Sequence, residues 1–316
     1  MTRMEVATRP VARRAAEPSF LRLLDEAKVA DLLGGAAPGV HRLEASGVLA
    51  TGGWYWVVFD NVPHVARIHA GMTPGHPETR LLRKPGGPAG FEDIAHDGTD
   101  GRFFVLIEAT AFAPGGYRAE VCEFDRWLRL VTRRWLDVPL DRPNKGMEGL
   151  TCVRRDGRLH LLAMCEGNRG RAGKAGRRPG GGRVHVMAEE ADGWHSVQTI
   201  HLPRSLPFVD YSGISVSGDR IAVVSQESSA LWVGRMAPDR WDVVDGGRTY
   251  LFPRDSRGRI VYGTVEGVSW LDEHTVVVVS DRTKRTQPRR MRSKDQSIHV
   301  FALPADGTDV TPNPQA

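Results

Sequence analysis

The chain reads as an all-β protein, a five-bladed β-propeller, and three observations predict it. A short design recurs five times: an acid or hydroxyl residue, then Gly or Asp, at the mouth of an apolar strand. Each copy is followed by a turn signal and a second strand that is apolar almost throughout. Strands buried on both faces read this way. Finally, Gly is frequent (35 residues) and helical periodicity is scarce across 316 residues. A radially repeated antiparallel unit protects its own edges, which is the propeller plan.

The five copies are Glu44-Ala45-Ser46-Gly47-Val48, Gly90-Phe91-Glu92-Asp93-Ile94, Gly146-Met147-Glu148-Gly149-Leu150, Asp210-Tyr211-Ser212-Gly213-Ile214 and Thr264-Val265-Glu266-Gly267-Val268. The central one sits in the stretch Asn144-Lys145-Gly146-Met147-Glu148-Gly149-Leu150, after a loop that ends at Pro143. In each, a Gly or its equivalent is expected to free the backbone. Hairpin turns follow at Thr51-Gly52-Gly53, Asp97-Gly98, Asp156-Gly157, Ser217-Gly218 and Asp272-Glu273. Second strands are expected over 54–59, 103–107, 159–164, 221–225 and 276–279. Third strands of alternating type are expected over 64–69, 117–124, 183–188, 231–236 and 298–303, with a fourth, more polar strand in most units, such as 241–244.

The N-terminal region is read in three pieces. Residues 1–16 are basic, Ala-rich and unpatterned, and disorder is expected. Residues 17–38 show helical apolar spacing, with Ser19 as N-cap and Gly34-Gly35 as the stop, which predicts a helix packed outside the propeller. The propeller itself spans 39–304, with 39–43 as the strand that closes the ring, and 305–316 is a disordered tail. A six-bladed plan would need a further unit within residues 1–40, where no strand hairpin is visible.

Bulk properties narrow the function. Three cysteines, Cys122, Cys152 and Cys165, form neither a disulfide framework nor a metal-type spacing. No apolar h-region and no window of 18 apolar residues is present, which predicts a cytoplasmic protein with no membrane contact. No GxSxG elbow, Walker A loop, HExxH or dinucleotide fingerprint appears. The basic stretches lack interleaved aromatics, which argues against nucleic acid.

Since the first strand of each propeller blade lines the channel, the five key residues converge on one axis. Ser46, Glu92, Glu148, Ser212 and Glu266 then form an oxygen-only ring. Three carboxylates this close need a counter-charge. Hard oxygen donors in an irregular ring suit Ca2+, with Mg2+ possible. The residues that end each second strand return to the same rim and supply a second tier. From it come the acid/base candidates Glu108, Glu166, Glu227 and Asp281. Candidate substrate-binding groups are Asn61, Lys145, Asn168, Arg169 and Arg282. Two loops, 166–182 and 281–296, together carry a net charge of +9, whereas the whole chain carries +5. Both are expected at the metal-side mouth, which suits an anionic small-molecule ligand.

The quintets and the strand ends Ser225-Gln226-Glu227-Ser228 and Val279-Ser280-Asp281 resemble the SdiA-regulated protein family. Their "EGL"-type repeats are similar to those of the esterase-like phytases. The order Ser, Glu, Glu, Ser, Glu also resembles the calcium-activated nucleotidases (apyrases), five-bladed propellers with an axial calcium. That resemblance covers residues 40–303 and implies a calcium-bearing propeller more firmly than any reaction. Three functions stay open on this scaffold: a metal-dependent hydrolase acting on a phosphate-ester-like molecule, a non-catalytic ligand- or partner-binding module with structural calcium, and a non-hydrolytic cyclase or lyase.

Overall fold

A computed structural model describes residues 18–34, 40, 42–83, 90–113, 115–140, 142, 146–171 and 173–305. The expected disorder at 1–16 and 306–316, and Lys145, lie outside the described residues.

The described strands pair into five antiparallel units. The first is β3 (Ala45–Thr51), β4 (Trp54–Phe59), β5 (His64–His69) and β6 (Arg80–Arg83). The second runs β7 (Phe91–Asp97), β8 (Arg102–Ala111), β9 (Tyr117–Phe124) and β10 (Leu130–Asp137), and the third β11 (Met147–Arg155), β12 (Arg158–Cys165), β13 (Arg183–Glu189) and β14 (Trp194–His201). These two units also touch at their rims, where β10 and β14 pair in parallel at Leu136–Trp194 and Asp137–His195. Units four and five are β15 (Gly213–Ser217), β16 (Arg220–Ser225), β17 (Ala230–Arg235) and β18 (Arg248–Leu251), then β19 (Val265–Trp270), β20 (Thr275–Ser280) and β21 (Ser297–Ala302).

The fifth unit takes its fourth strand from the other end of the chain. β2 (Arg22–Lys28) pairs antiparallel with β21, from Arg22–Ala302 to Lys28–Ser297. Just before it, β1 (Ser19–Phe20) lies parallel to β18. The helix expected over 17–38 is therefore mostly strand. Among the described residues of that span, one short α-helix is present, α1 (Val29–Leu33), and it buries Val29, Leu32 and Leu33. Apolar residues at helical spacing served a half-buried closing strand because an open sheet edge offered its backbone groups partners. The closing strand expected at 39–43 is displaced by β2; Arg42 and Leu43 belong to no strand. Likewise the outer strand of unit four is β18 rather than 241–244, where Val243 makes a single bridge to Met236.

Five hydrophobic cores lie between units, not within them. Val277, Val279, Ile298 and Val300 pack with Val48, Val57 and Ile68, joining unit five to unit one. Val58 and Val65 meet Phe91, Val105 and Ile107. Leu106 and Val121 meet Leu150, Leu161 and Trp194. Met164 and Val184 meet Ile214, Val223 and Trp232. Ala222, Val224 and Tyr250 meet Val265, Val278 and Phe301. Each unit thus shares one core with the unit before it and one with the unit after, and the last returns to the first. The chain is a β-propeller, and its second strands are apolar because both of their faces are covered, as in β20, where Val276 to Val279 are all fully buried.

Glycine in the repeated quintet has a different task from the one expected. A Cβ at Gly213 would stand 2.3 Å from the Glu266 carbonyl oxygen, and one at Gly267 would stand 2.7 Å from the Gly47 Cα. Neither residue has positive φ. The missing side chain lets neighbouring inner strands approach backbone to backbone around the channel. Unit two departs from this, with Asp93 in place of Gly. Its fully buried carboxylate accepts hydrogen bonds from the Ile94 and Leu150 N–H groups, both 2.8 Å, and so ties unit two to unit three.

Candidate metal centre and mouth

At one end of the channel lies a cavity of about 1020 Å³. Glu92, Glu148, Ser212 and Glu266 line it, together with Glu44, Asp60, Glu108, Glu166, Asp210, Gln226 and Asp281. These carboxylates come from all five units, because each first strand begins, and each second strand ends, at this face.

Ser46, the fifth expected ring residue, is fully buried and does not line the cavity; its hydroxyl donates to the Phe91 carbonyl. The Ser212 hydroxyl donates to the Val265 carbonyl at 3.2 Å. Phe91 and Val265 immediately precede Glu92 and Glu266. Each ring serine therefore fixes the strand that carries the next unit's glutamate. A hydroxyl that donates one proton keeps its lone pairs available to a cation.

The electrostatics of the floor are those of crowded acids. Burial first, then Glu148, Glu108 and Glu266, push Glu92 well above the usual carboxylate range. Glu266 is raised likewise by burial, Asp281 and Glu148, with Lys284 acting in the opposite sense. Burial raises Asp281 to about 6 against the hydrogen bond from the Arg282 N–H. Asp210 also reaches about 6 by burial, although the Ser225 hydroxyl and Glu227 N–H donate to it. Gln226 Nε2 donates to Glu266 Oε1 at 2.6 Å. Oxygen donors held this way fit a hard divalent cation, whose charge would offset these carboxylates. Among the described residues, a set of three acid or imidazole side chains with ligand atoms all within 4.8 Å of one another occurs at Glu190, Asp192 and His195, on the outer rim of unit three. The three ring glutamates do not bring their carboxylate oxygens all within that distance of one another.

The second tier divides. Glu108, Glu166 and Asp281 face the cavity. Glu227 does not line it and pairs instead with Arg177. Asn61 braces a loop, accepting from the Glu44 N–H at 3.0 Å and donating to the Arg42 carbonyl at 3.2 Å. Asn168 is fully buried, donates to the Gly176 and Phe208 carbonyls, and accepts from Gly181 N–H and the Tyr211 hydroxyl. It organises the 166–182 loop from inside and is not placed to meet a substrate. Arg169 donates to the Arg178 carbonyl at 3.1 Å within that loop. Of the two basic loops, only 281–296 sends cations to the cavity, through Arg282, Lys284, Arg285 and Arg292.

Glu44 and Asp210 had a legible signal. Where the ring residue is Ser, an acid stands two positions earlier: Glu44 before Ser46, Asp210 before Ser212. Strand period places i and i−2 on one face, so the carboxylate is shifted outward along the channel rather than lost.

No family model matches the chain, and no curated protein matches it, so the resemblance to SdiA-regulated proteins and apyrases stands on the quoted quintets alone. Among solved structures the chain is similar to a glutaminyl cyclase from Myxococcus xanthus, at 13% identity over 92% of this chain and 100% of that one, with a TM-score of 0.53. Looser similarity links it to the PQQ-bound aldose sugar dehydrogenase of Streptomyces coelicolor (12% identity, 89% and 98% covered, TM-score 0.45). The GH43_1 enzyme from Xanthomonas citri complexed with xylose stands at the same TM-score, with 13% identity and 88% and 94% covered. These neighbours are β-propeller enzymes of unrelated chemistries, and what this chain has in common with the first of them is its fold.

Proposed function

We propose that the protein holds one divalent cation, calcium before magnesium, at the floor of the channel mouth, and that the cavity above it binds and hydrolyses an anionic, phosphate-ester-like small molecule. Glu92, Glu148 and Glu266 would hold the ion, with Ser46 and Ser212 as neutral donors. One observation carries the reading: glutamates from three separate units line one cavity, and Glu148 adds to the burial that raises the proton affinity of both Glu92 and Glu266, which a bound cation would relieve. The ion would supply Lewis acidity toward a phosphoryl oxygen and toward water. Glu108, Glu166 and Asp281 are the acid/base groups of this reading, since they face the same cavity. Arg282 stands at its edge, 3.6 Å from Glu44.

A panel of nucleotides and phosphate monoesters, run with calcium, magnesium and chelator, tests the reading. Turnover that is lost in chelator, and lost in Glu148→Gln with the fold intact, supports it. Turnover unchanged by chelator removes the metal from the chemistry, and no turnover of any ester removes the hydrolase.

A further inference from the structure

The loop 281–296 is built rather than loose. Lys28 Nζ, from the closing strand, donates to the Arg292 carbonyl at 3.0 Å and pairs with Asp295 Oδ1 at 3.0 Å. The other oxygen of that buried carboxylate accepts from the Thr283 N–H at 3.0 Å. Gln287 Nε2 donates to the Gly263 carbonyl at 3.2 Å, and Arg290 Nε to the Ile260 carbonyl at 2.8 Å. Met291 is buried beneath. Five ties fix a segment whose charge would otherwise favour disorder.

Three of its cations differ from Arg282, Arg290 and Lys294, which meet Glu44, the Ile260 carbonyl and Glu26. Among the described residues, no ion pair holds Lys284, Arg285 or Arg292, and all three line the cavity. Next to Lys284 stands Thr283, 6% exposed, which also lines the cavity and whose hydroxyl has no hydrogen-bond partner among the described residues. A buried hydroxyl left unpaired is costly unless something in the cavity meets it. The other basic loop differs: Arg177 is paired with Glu227, Arg169 is bonded within the loop, and neither lines the cavity.

We infer that the 281–296 loop forms one preorganised subsite for a phosphate-type oxyanion, with the Thr283 hydroxyl, Lys284, Arg285 and Arg292 as its donors. The inference rests on the reading that the cavity takes an anionic molecule, and it assigns the anion to a single wall of that cavity. A hydroxyl, an ammonium and two guanidinium groups that line one cavity from a single loop match tetrahedral oxygens better than a single carboxylate. The loop is held by strands from both ends of the chain, so the subsite exists only in the closed ring.

The test is titration of inorganic phosphate into calcium-loaded protein by calorimetry, with metal content measured separately on every variant. Lys284→Ala/Arg285→Ala/Arg292→Ala should weaken phosphate at least tenfold, and Thr283→Val several-fold, with metal content unchanged. Arg169→Ala/Arg177→Ala, in the other loop, should bind phosphate as the parent does. Equal loss in the two loops would reduce the effect to general surface charge and overturn the subsite. So would a parent protein that binds no phosphate at millimolar concentration. If Glu148→Gln loses both its metal and its phosphate while the triple loop variant keeps both, the anion sits on the ion alone and the subsite is wrong although the metal reading stands. If no preparation holds metal but the triple variant still loses phosphate, the subsite stands and the metal reading fails.

Discussion

Asp210, half-buried, and Asp93, fully buried, are carboxylates beside the channel that burial raises alike, but their partners give them different tasks. Asp210 accepts from a side-chain hydroxyl and one N–H, which do not offset its burial, so its folded value is about 6 against an ordinary 3.8. A raised folded value means stability that is complete below about pH 4 and is lost as pH climbs through 6. The loss reaches about 3 kcal/mol by neutral pH, taking ~1.4 kcal/mol per unit as an upper bound. Asp210→Asn should therefore gain stability over the parent as pH rises from 4 to 7 in metal-free buffer, measured by urea denaturation. A constant difference across that range would contradict the assignment. Asp93, by contrast, answers two buried N–H groups. Asp93→Ala leaves the Leu150 N–H without its acceptor and should cost about 1–3 kcal/mol in the same assay. Sequence spacing was enough to find the ring glutamates, since an acid before Gly at a strand mouth repeats. It could not show that Asp93 is a tie, because only the neighbouring strand's N–H makes it one. Nor could it show that Glu227 turns away while Glu166 faces the cavity: Glu166 stands one residue past the end of its second strand and Glu227 two, and the Arg177 that engages Glu227 comes from a different unit.

Elements explain which parts of the fold were readable. Middle strands such as β12, β16 and β20 are covered on both faces, so their apolar runs are direct records of their position. Their turns were equally plain; at Asp156 and Gly157 both φ values are positive, 52° and 74°, as a tight hairpin between Arg155 and Arg158 requires. Outer strands pack on one face only and have weaker patterns, which is why β18 was missed in favour of 241–244. β2 was read as helix because residues 22–33 satisfy either period, and only the vacant edge of β21 decides between them. The inner strands carry a constraint that no periodicity reveals, the backbone approach at Gly213 and Gly267. Gly213→Ala puts a methyl 2.3 Å from the Glu266 carbonyl oxygen. It should destabilise the protein by about 1–3 kcal/mol through overpacking, and it should also displace Glu266, the next ring glutamate. A variant with the parent's denaturation midpoint would show that the inner strands separate freely.

The whole molecule is a closed ring whose seam lies in unit five. There the N-terminal β2 meets the C-terminal β21, and Glu26 forms the seam's polar core. His299 Nδ1 stands 3.1 Å from Glu26 Oε2, and Lys294 Nζ 2.5 Å from Oε1. The His299 hydrogen bond, opposed by burial and aided by Lys294, holds Glu26 down at about 2 against an ordinary 4.5. Burial lowers His299 as well. Both depressed values act in one direction: stability is full at neutral pH and falls with acid, through 6.5 for the imidazole and between 4.5 and 2 for the carboxylate. Glu26→Gln should flatten the acid limb of a melting-temperature profile below pH 5, and an unchanged limb would place acid sensitivity elsewhere. The same seam supplies Lys28 to the loop that walls the cavity, so closure of the ring and assembly of the mouth are one event. The central claim is that this closed ring holds a single cation among glutamates drawn from three units. Elemental analysis of the purified protein, before and after chelator and beside Glu148→Gln, tests it most directly. The account predicts about one calcium per chain in the parent, a lower melting temperature once it is stripped, and an empty Glu148→Gln; a parent that binds no divalent ion and melts identically in chelator would contradict it.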